Sequence, residues 1–282
     1  MGPRPAAVLD RFISIYVPVV VTLVLLLFPF YWMAITSIKP NAELFDTKAN
    51  PFIVLKPTLD HYRYLFERTL FANWLLNTTV VASLSTLISL ALSVPAGYAL
   101  ARFRFPGGTF LGWAIFVTYL VPQTLLFLPL TQVINWLGLA NTIWSLVLTY
   151  PTFLVPFGSW LLIGYFRSIP KDLEESALVD GASRLQALIK IALPLALPGI
   201  LSVGIFSFTL SWNEFIYALV FISDPANKTV PVGVTSELIR GDVFFWGSLM
   251  AGALLGSVPV ALIYSFFVEY FVAGLTAGAV KG

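Results

Sequence analysis

The chain has 282 residues, 58% of them hydrophobic and only 11% charged, with a net charge of +2 and a mean hydropathy of +0.88. A soluble domain carries about 25% charged residues, so much of this chain must face lipid or other spanning helices, and with no dense basic run it offers nothing to a nucleic acid. There is no cysteine and one histidine, His61, which excludes disulfides, thiolate metal sites and any two-histidine metal site.

Six apolar runs reach the roughly 20 residues that a membrane span needs, at about 12–36, 71–101, 109–134, 142–166, 196–222 and 244–272. The sequence therefore predicts an all-α polytopic membrane protein with six transmembrane helices, a single transmembrane domain over residues 1–282. The first run is too long for a signal-peptide core and lacks a small-x-small cleavage site, so it reads as a retained span. Pro29, Pro95, Pro122, Pro156 and Pro259 fall inside the runs and predict kinks rather than interruptions, because neighbouring helices can satisfy the freed carbonyls. His61, in the connection after the first span, reads as a solvated or packed loop residue. Ser85, Ser89, Ser93 and Gly97 on the second span repeat every four residues, as do Ser248, Gly252 and Gly256 on the sixth. Small residues at that spacing let helices approach closely.

Orientation follows from lysine and arginine in the short flanks. One side collects Arg4, Arg11, Arg102, Arg104, Arg167, Lys171, Arg184, Lys190 and Lys281. The opposite short connections hold none near 135–141, and Lys228 and Arg240 between the last two spans. Both termini and the segment between the fourth and fifth spans are thus expected to be cytoplasmic.

That segment, residues 167–195, is far longer than the two to eight residues that usually join helices in a bundle. Pro170 and the acidic residues Asp172, Glu174 and Glu175 suit a helix start. Gly181 can end that helix because glycine accepts positive φ. A second short helix over about 183–192 then leads to Pro194 and Pro198 at the next span. On the fifth span, Gly204, Ser207, Ser211, Glu214 and Ala218 fall within about an 80° arc, a small and polar stripe on an apolar helix. The stripe is expected to face a translocation path or its gate, with a hydrogen bond to a neighbouring span as the competing role. Gln123 and Asn77 are further candidates for cavity lining.

The segment resembles the signature loop of binding-protein-dependent ABC importer permeases, E-A-A, three residues, G, nine residues, I-x-L-P. Here Glu175, Ser176 and Ala177 are followed by three residues and Gly181, and nine more lead to Ile191, Ala192, Leu193 and Pro194. The one departure is Ser176 for the second alanine. Gly97-Tyr98-Ala99-Leu100-Ala101-Arg102, Leu137-Gly138-Leu139-Ala140-Asn141-Thr142, Ser168-Ile169-Pro170 and Trp212-Asn213-Glu214-Phe215 resemble the carbohydrate branch of that family. The C-terminal residues 274–282 resemble the tail of its maltose-type second membrane subunit.

The resemblance implies the type I ABC importer permease fold with a cytoplasmic coupling-helix loop, in a bacterial or archaeal plasma membrane. It implies a second homologous permease subunit, two ABC ATPase subunits that use ATP and Mg, and an extracytoplasmic solute-binding protein, with no cofactor bound by this chain itself. Glu174, Glu175, Ser176, Ala177, Asp180, Gly181, Leu193 and Pro194 would couple to the ATPase, and Ala277, Gly278 and Lys281 would reach it from the tail. The external loop of about 223–243 would face the binding protein. The cargo implied is a sugar or oligosaccharide. No G-x-x-x-x-G-K-[ST] loop is present, so the chain is expected to be non-catalytic. A secondary transporter driven by an ion gradient is the alternative on composition, but it would leave the charged segment without a purpose and no repeated half is evident.

Overall fold

The computed structural model describes the backbone of residues 5–277 and the side chains of residues 13–268. Gly278 and Lys281 lie outside the described residues, and Ala277 is described by its backbone alone. In chain order the helices are α1 (Pro5–Ile38), α2 (Asn41–Leu44), α3 (Asp60–Arg68), α4 (Phe71–Arg102), α5 (Gly108–Leu120), α6 (Gln123–Trp136), α7 (Ile143–Thr149) and α8 (Pro151–Ser168). They continue with α9 (Asp172–Val179), α10 (Arg184–Ala187), a π turn (Leu188–Ala192), α11 (Leu193–Trp212), α12 (Ile216–Phe221), α13 (Val230–Leu238) and α14 (Trp246–Ala277). A two-residue hairpin, β1 (Ile239–Arg240) with β2 (Val243–Phe244), turns at Gly241. Five helical stretches are long and apolar enough to cross a membrane: 13–38, 71–102, 143–168, 184–212 and 246–268. A sixth is α5 with α6, if that pair, bent by 99°, counts as one span.

Two of these differ from the sequence expectation. The third span is interrupted at Pro122, not merely kinked. Val121, placed before a proline, leaves the helical region (φ −68°, ψ 124°), and Pro122 then opens α6 with no N–H to donate backwards. At Pro29, Pro95, Pro156 and Pro259 the helix continues through the ring, as expected. The fifth span was expected at 196–222. Instead one helical rod runs from Arg184 to Trp212, absorbing the second short helix of the coupling segment. Pro194 cannot donate, and its ring crowds the carbonyl four residues back, at Lys190. The backbone there widens into the π turn instead of breaking. At its far end the rod stops at Trp212, and α12 is a separate helix.

The chain divides into two compact units. One comprises the described part of residues 1–71 with 234–257. In it, none of the most apolar window of α1 is buried, while Thr36 and Ser37 near its end are. Buried Lys39 donates from Nζ to the carbonyls of Asn50 (2.8 Å) and Pro51 (2.9 Å), folding the connection after α1 back on itself. His61 is buried, and its Nε2–H donates to the Lys39 carbonyl at 2.7 Å, so it is a packed residue.

The other unit comprises residues 72–233 with the described part of 258–282. The small residues of α4 lie at its centre: Ser85, Ser89 and Ser93 are all buried. A Cβ at Gly97 would stand 2.8 Å from Leu162 Cβ, and one at Gly158 would stand 2.9 Å from both Ser93 Oγ and Val203 Cγ1. Helices α4, α8 and α11 therefore meet at a distance that larger side chains would prevent. Two apolar clusters flank this contact. One is built around Tyr150, Leu154 and Tyr217, the other around Tyr98, Leu162 and Phe166.

Candidate coupling site

The candidate coupling segment begins where Ile169 leaves the helical region (φ −78°, ψ 127°) and ends α8. Asp172, Glu174 and Glu175 occupy the first turn of α9, where carboxylates oppose the positive end of the helix. Gly181 ends the helix at φ +91°. The Ala182 N–H donates to the Ala177 carbonyl (2.9 Å) and the Gly181 N–H to that of Leu178 (3.1 Å), a Schellman closure that a side chain at 181 would strain. The next helix opens with a reciprocal cap. Ser183 Oγ accepts from the Gln186 N–H (3.2 Å), and the Gln186 side chain accepts from the Ser183 N–H (2.8 Å).

The two adjacent acids of α9 point in different directions. Glu175 is exposed, with Ser176, Asp180 and Gly181. Glu174 is buried, and its Oε1 accepts from Arg102 Nε at 2.7 Å while Oε2 accepts from the Tyr98 hydroxyl at 2.7 Å. Arg102 Nη2 donates to the Ile169 carbonyl at 3.0 Å, closing the connection between the end of α4 and the start of the coupling segment. Phe103, just beyond α4, lies under the Arg184 guanidinium at 5.6 Å and so reaches the second coupling helix too. Of the expected coupling residues, Ala177 and Leu193 are half-buried and Pro194 is exposed. The sequence reading missed Tyr98 and Arg102 as partners of Glu174, and missed the exposed apolar residues Leu173, Val179, Leu185 and Ile189. Tandem acids on a helix project only about 100° apart, so their spacing alone did not show which of Glu174 and Glu175 turns inward.

The polar residues proposed for a path fall in a different place. Ser207, Ser211 and Glu214 are buried within the second unit. Ser211 Oγ is 3.2 Å from Ser85 Oγ on α4, and Ser207 Oγ has no partner among the described residues. Glu214 Oε1 accepts from the Tyr217 N–H (2.8 Å), and Oε2 accepts from the Ala218 N–H (3.1 Å) and the Tyr150 hydroxyl (2.8 Å). Its carboxylate thus satisfies N–H groups at the start of α12 and explains why that helix is separate from α11. Asn77 donates to the carbonyls of Ala226 (2.8 Å) and Lys228 (3.0 Å), fastening the connection between α12 and α13 to α4. Gln123 is exposed at the bend between α5 and α6. Among the described residues, no group of three or more His, Cys, Asp or Glu side chains could hold a metal ion.

The fold is that of a multi-span helical chain that carries, between two of its spans, a capped helix pair tied to a third. Residues 93–277 match the family described as the binding-protein-dependent transport system inner membrane component, and the chain belongs to that family. It is 37% identical over 262 residues to the trehalose/maltose transport system permease protein MalG of Thermococcus litoralis, covering 92% of this chain and 93% of the relative. It is 38% identical over 257 residues to the sulfoquinovosyl glycerol transport system permease protein SmoH of Agrobacterium fabrum, covering 91% and 89%. Among solved structures, a bacterial ABC transporter involved in import of the acidic polysaccharide alginate has a chain that superposes with a TM-score of 0.81. At 20% identity over 96% of this chain and 99% of that one, the likeness is of fold. The chain is therefore a multi-pass inner-membrane permease subunit of a binding-protein-dependent ABC importer. It is non-catalytic, and ATP is used by partner ATPases.

Proposed function

We propose that this chain, acting as one permease domain, pairs with a second homologous permease subunit to carry a sugar or oligosaccharide, of the maltose or trehalose kind, across the plasma membrane by alternating access. Two ATPase subunits drive it, and an extracytoplasmic solute-binding protein supplies the cargo. Both termini and the coupling segment face the cytoplasm, in line with the distribution of lysine and arginine. The carbohydrate class rests on relatives whose names refer to glycosides.

The observation that carries the coupling role is the rod from Arg184 to Trp212. A push on the second coupling helix enters a span directly, because the two are one rod. The exposed side chains of Leu173, Glu175, Ser176 and Val179 form the face offered to an ATPase cleft, while Glu174 works from behind, holding α9 to α4. Gly181, Leu193 and Pro194 shape the elbow and the entry to the rod. The unburied apolar window of α1 has the length and apolarity to lie against the second permease subunit. Gln123, at the bend of the third span, is the candidate for lining the path. Glu214 and its stripe act by fixing where α11 ends. Asn77 holds the outer loop that faces the binding protein, and the tail residues Ala277, Gly278 and Lys281 are the candidates for contacting the ATPases.

The reading is tested by uptake of labelled maltose or trehalose into proteoliposomes that contain the whole complex and its binding protein. ATP without any ion gradient should drive accumulation. Uptake that needs a proton or sodium gradient and ignores ATP would reject it.

A further inference from the structure

A cavity of about 790 Å³ opens beside the coupling segment, between the end of α4, the 103–107 turn, the start of α5 and the end of α8. Arg104, Arg167 and Lys171 stand around it, all exposed, and no acidic side chain lines it among the described residues. Arg102 also lines it, but is committed to Glu174 and Ile169, with Nη1 left without a hydrogen-bond partner. Arg167 is in the last turn of the 143–168 span, and Arg104 and Lys171 lie just past the ends of the spans 71–102 and 143–168, which places the three free cations at one boundary of the apolar zone. The rings lie deeper. Trp160 is seven residues before Arg167 on the same helix, about 10 Å further in. Phe116 packs on Trp160 at 5.6 Å, and Trp113 on Phe116 at 6.1 Å. Between them Gly112 leaves open space, since a Cβ there would meet nothing within 4 Å. Helix α5 starts at the cavity mouth with no side-chain cap, adding backbone N–H groups to the positive rim.

We propose that this cavity binds one anionic glycerophospholipid. Its phosphate is held by Arg104, Arg167 and Lys171, and an acyl chain lies along Trp113, Phe116 and Trp160. Cations at headgroup depth with an apolar wall beneath them fit that amphipathic shape. A free phosphate would leave the aromatic wall unused, and a neutral solute in transit would leave the cations without counter-charge. The inference rests on the chain spanning the membrane and is independent of the solute carried.

The test is native mass spectrometry of the intact, purified transporter complex, titrated with phosphatidylglycerol or phosphatidylcholine. Wild type is compared with Arg104→Gln/Arg167→Gln/Lys171→Gln and with Gly112→Leu, which fills the cavity without altering charge. Wild type should retain one phosphatidylglycerol more than either variant, weakened by about fivefold per cation removed, while phosphatidylcholine retention stays the same in all three. Excess inorganic phosphate should not displace it. Equal phosphatidylglycerol retention by wild type and the triple variant would overturn the proposal. So would loss in the triple variant alone, with Gly112→Leu unaffected and inorganic phosphate competing, because that pattern describes an anion site with no seat for a chain. If the triple variant fails to assemble, Gly112→Leu and Lys171→Gln carry the same comparison.

Discussion

Arg102 and Glu174, 72 residues apart in the chain, meet at 2.7 Å with side chains only 6% and 9% exposed. Their pairing joins the end of the second span to the first coupling helix, and the Tyr98 hydroxyl completes the carboxylate's partners. Removing one member of such a pair strands a buried charge, at about 3–5 kcal/mol, whereas replacing both by apolar groups is often close to neutral. Thermal unfolding of the assembled complex should therefore show a large loss of stability for Glu174→Ala and for Arg102→Ala. Arg102→Met/Glu174→Leu should recover most of it, and a double variant as unstable as the two losses summed would count against the pairing.

Gly181 offers a cleaner backbone test, because a Cβ there meets nothing within 4 Å. The cost of Gly181→Ala comes from φ +91° alone, about 1–2 kcal/mol for a residue forced left-handed. Asparagine tolerates that region better, so Gly181→Asn should lose less than Gly181→Ala when melting of the complex is followed. Equal losses would mean that the strain lies elsewhere.

Glycines on one helix should respond oppositely. At Gly158 an added Cβ would press on Ser93 and Val203, and at Gly164 it would meet nothing. Gly158→Ala should destabilise by about 1–3 kcal/mol, as over-packing does. Gly164→Ala should be neutral or mildly stabilising, since alanine is the better helix former. Chemical unfolding in detergent, read by tryptophan fluorescence, separates the two.

Glu214 is expected to behave as a helix cap. Glu214→Leu leaves the N–H groups of Tyr217 and Ala218 and the Tyr150 hydroxyl without an acceptor, at about 1–3 kcal/mol for each group left buried and unpaired. Glu214→Gln keeps one carbonyl acceptor and should lose less. Melting of both variants beside their uptake checks this: a loss of uptake with unchanged melting would favour a direct role in the path over capping.

Why some of this was legible in the sequence and some was not comes down to local against distant causes. The glycine elbow was legible because Gly181 answers a backbone requirement set within six residues. The close contact along α4 was legible because Ser85, Ser89, Ser93 and Gly97 share a face whatever they pack on. The inward turn of Glu174 was not, because its partners Tyr98 and Arg102 come from another span. At Pro122 and Pro194 the same residue had opposite outcomes, a 99° break and a continuous rod. A proline removes one donor in either case, and the surrounding packing decides whether the helix survives. Glu214 was read as part of a polar stripe because it shares an arc with Ser207 and Ser211 on an unbroken helix, and glutamate is not among the residues favoured at helix N-caps. Nothing local marked Trp212 as a helix end.

The most direct measurement of how ATP energy enters this subunit is the ratio of solute imported to ATP hydrolysed in proteoliposomes, for wild type, Glu174→Ala and Arg102→Met/Glu174→Leu. With the tie between α4 and α9 broken, Glu174→Ala should still assemble and hydrolyse ATP, but with import per ATP reduced by roughly 5- to 150-fold, the range of a lost coupling. The double variant should regain much of the ratio. An unchanged ratio in Glu174→Ala, at normal assembly, would contradict the account.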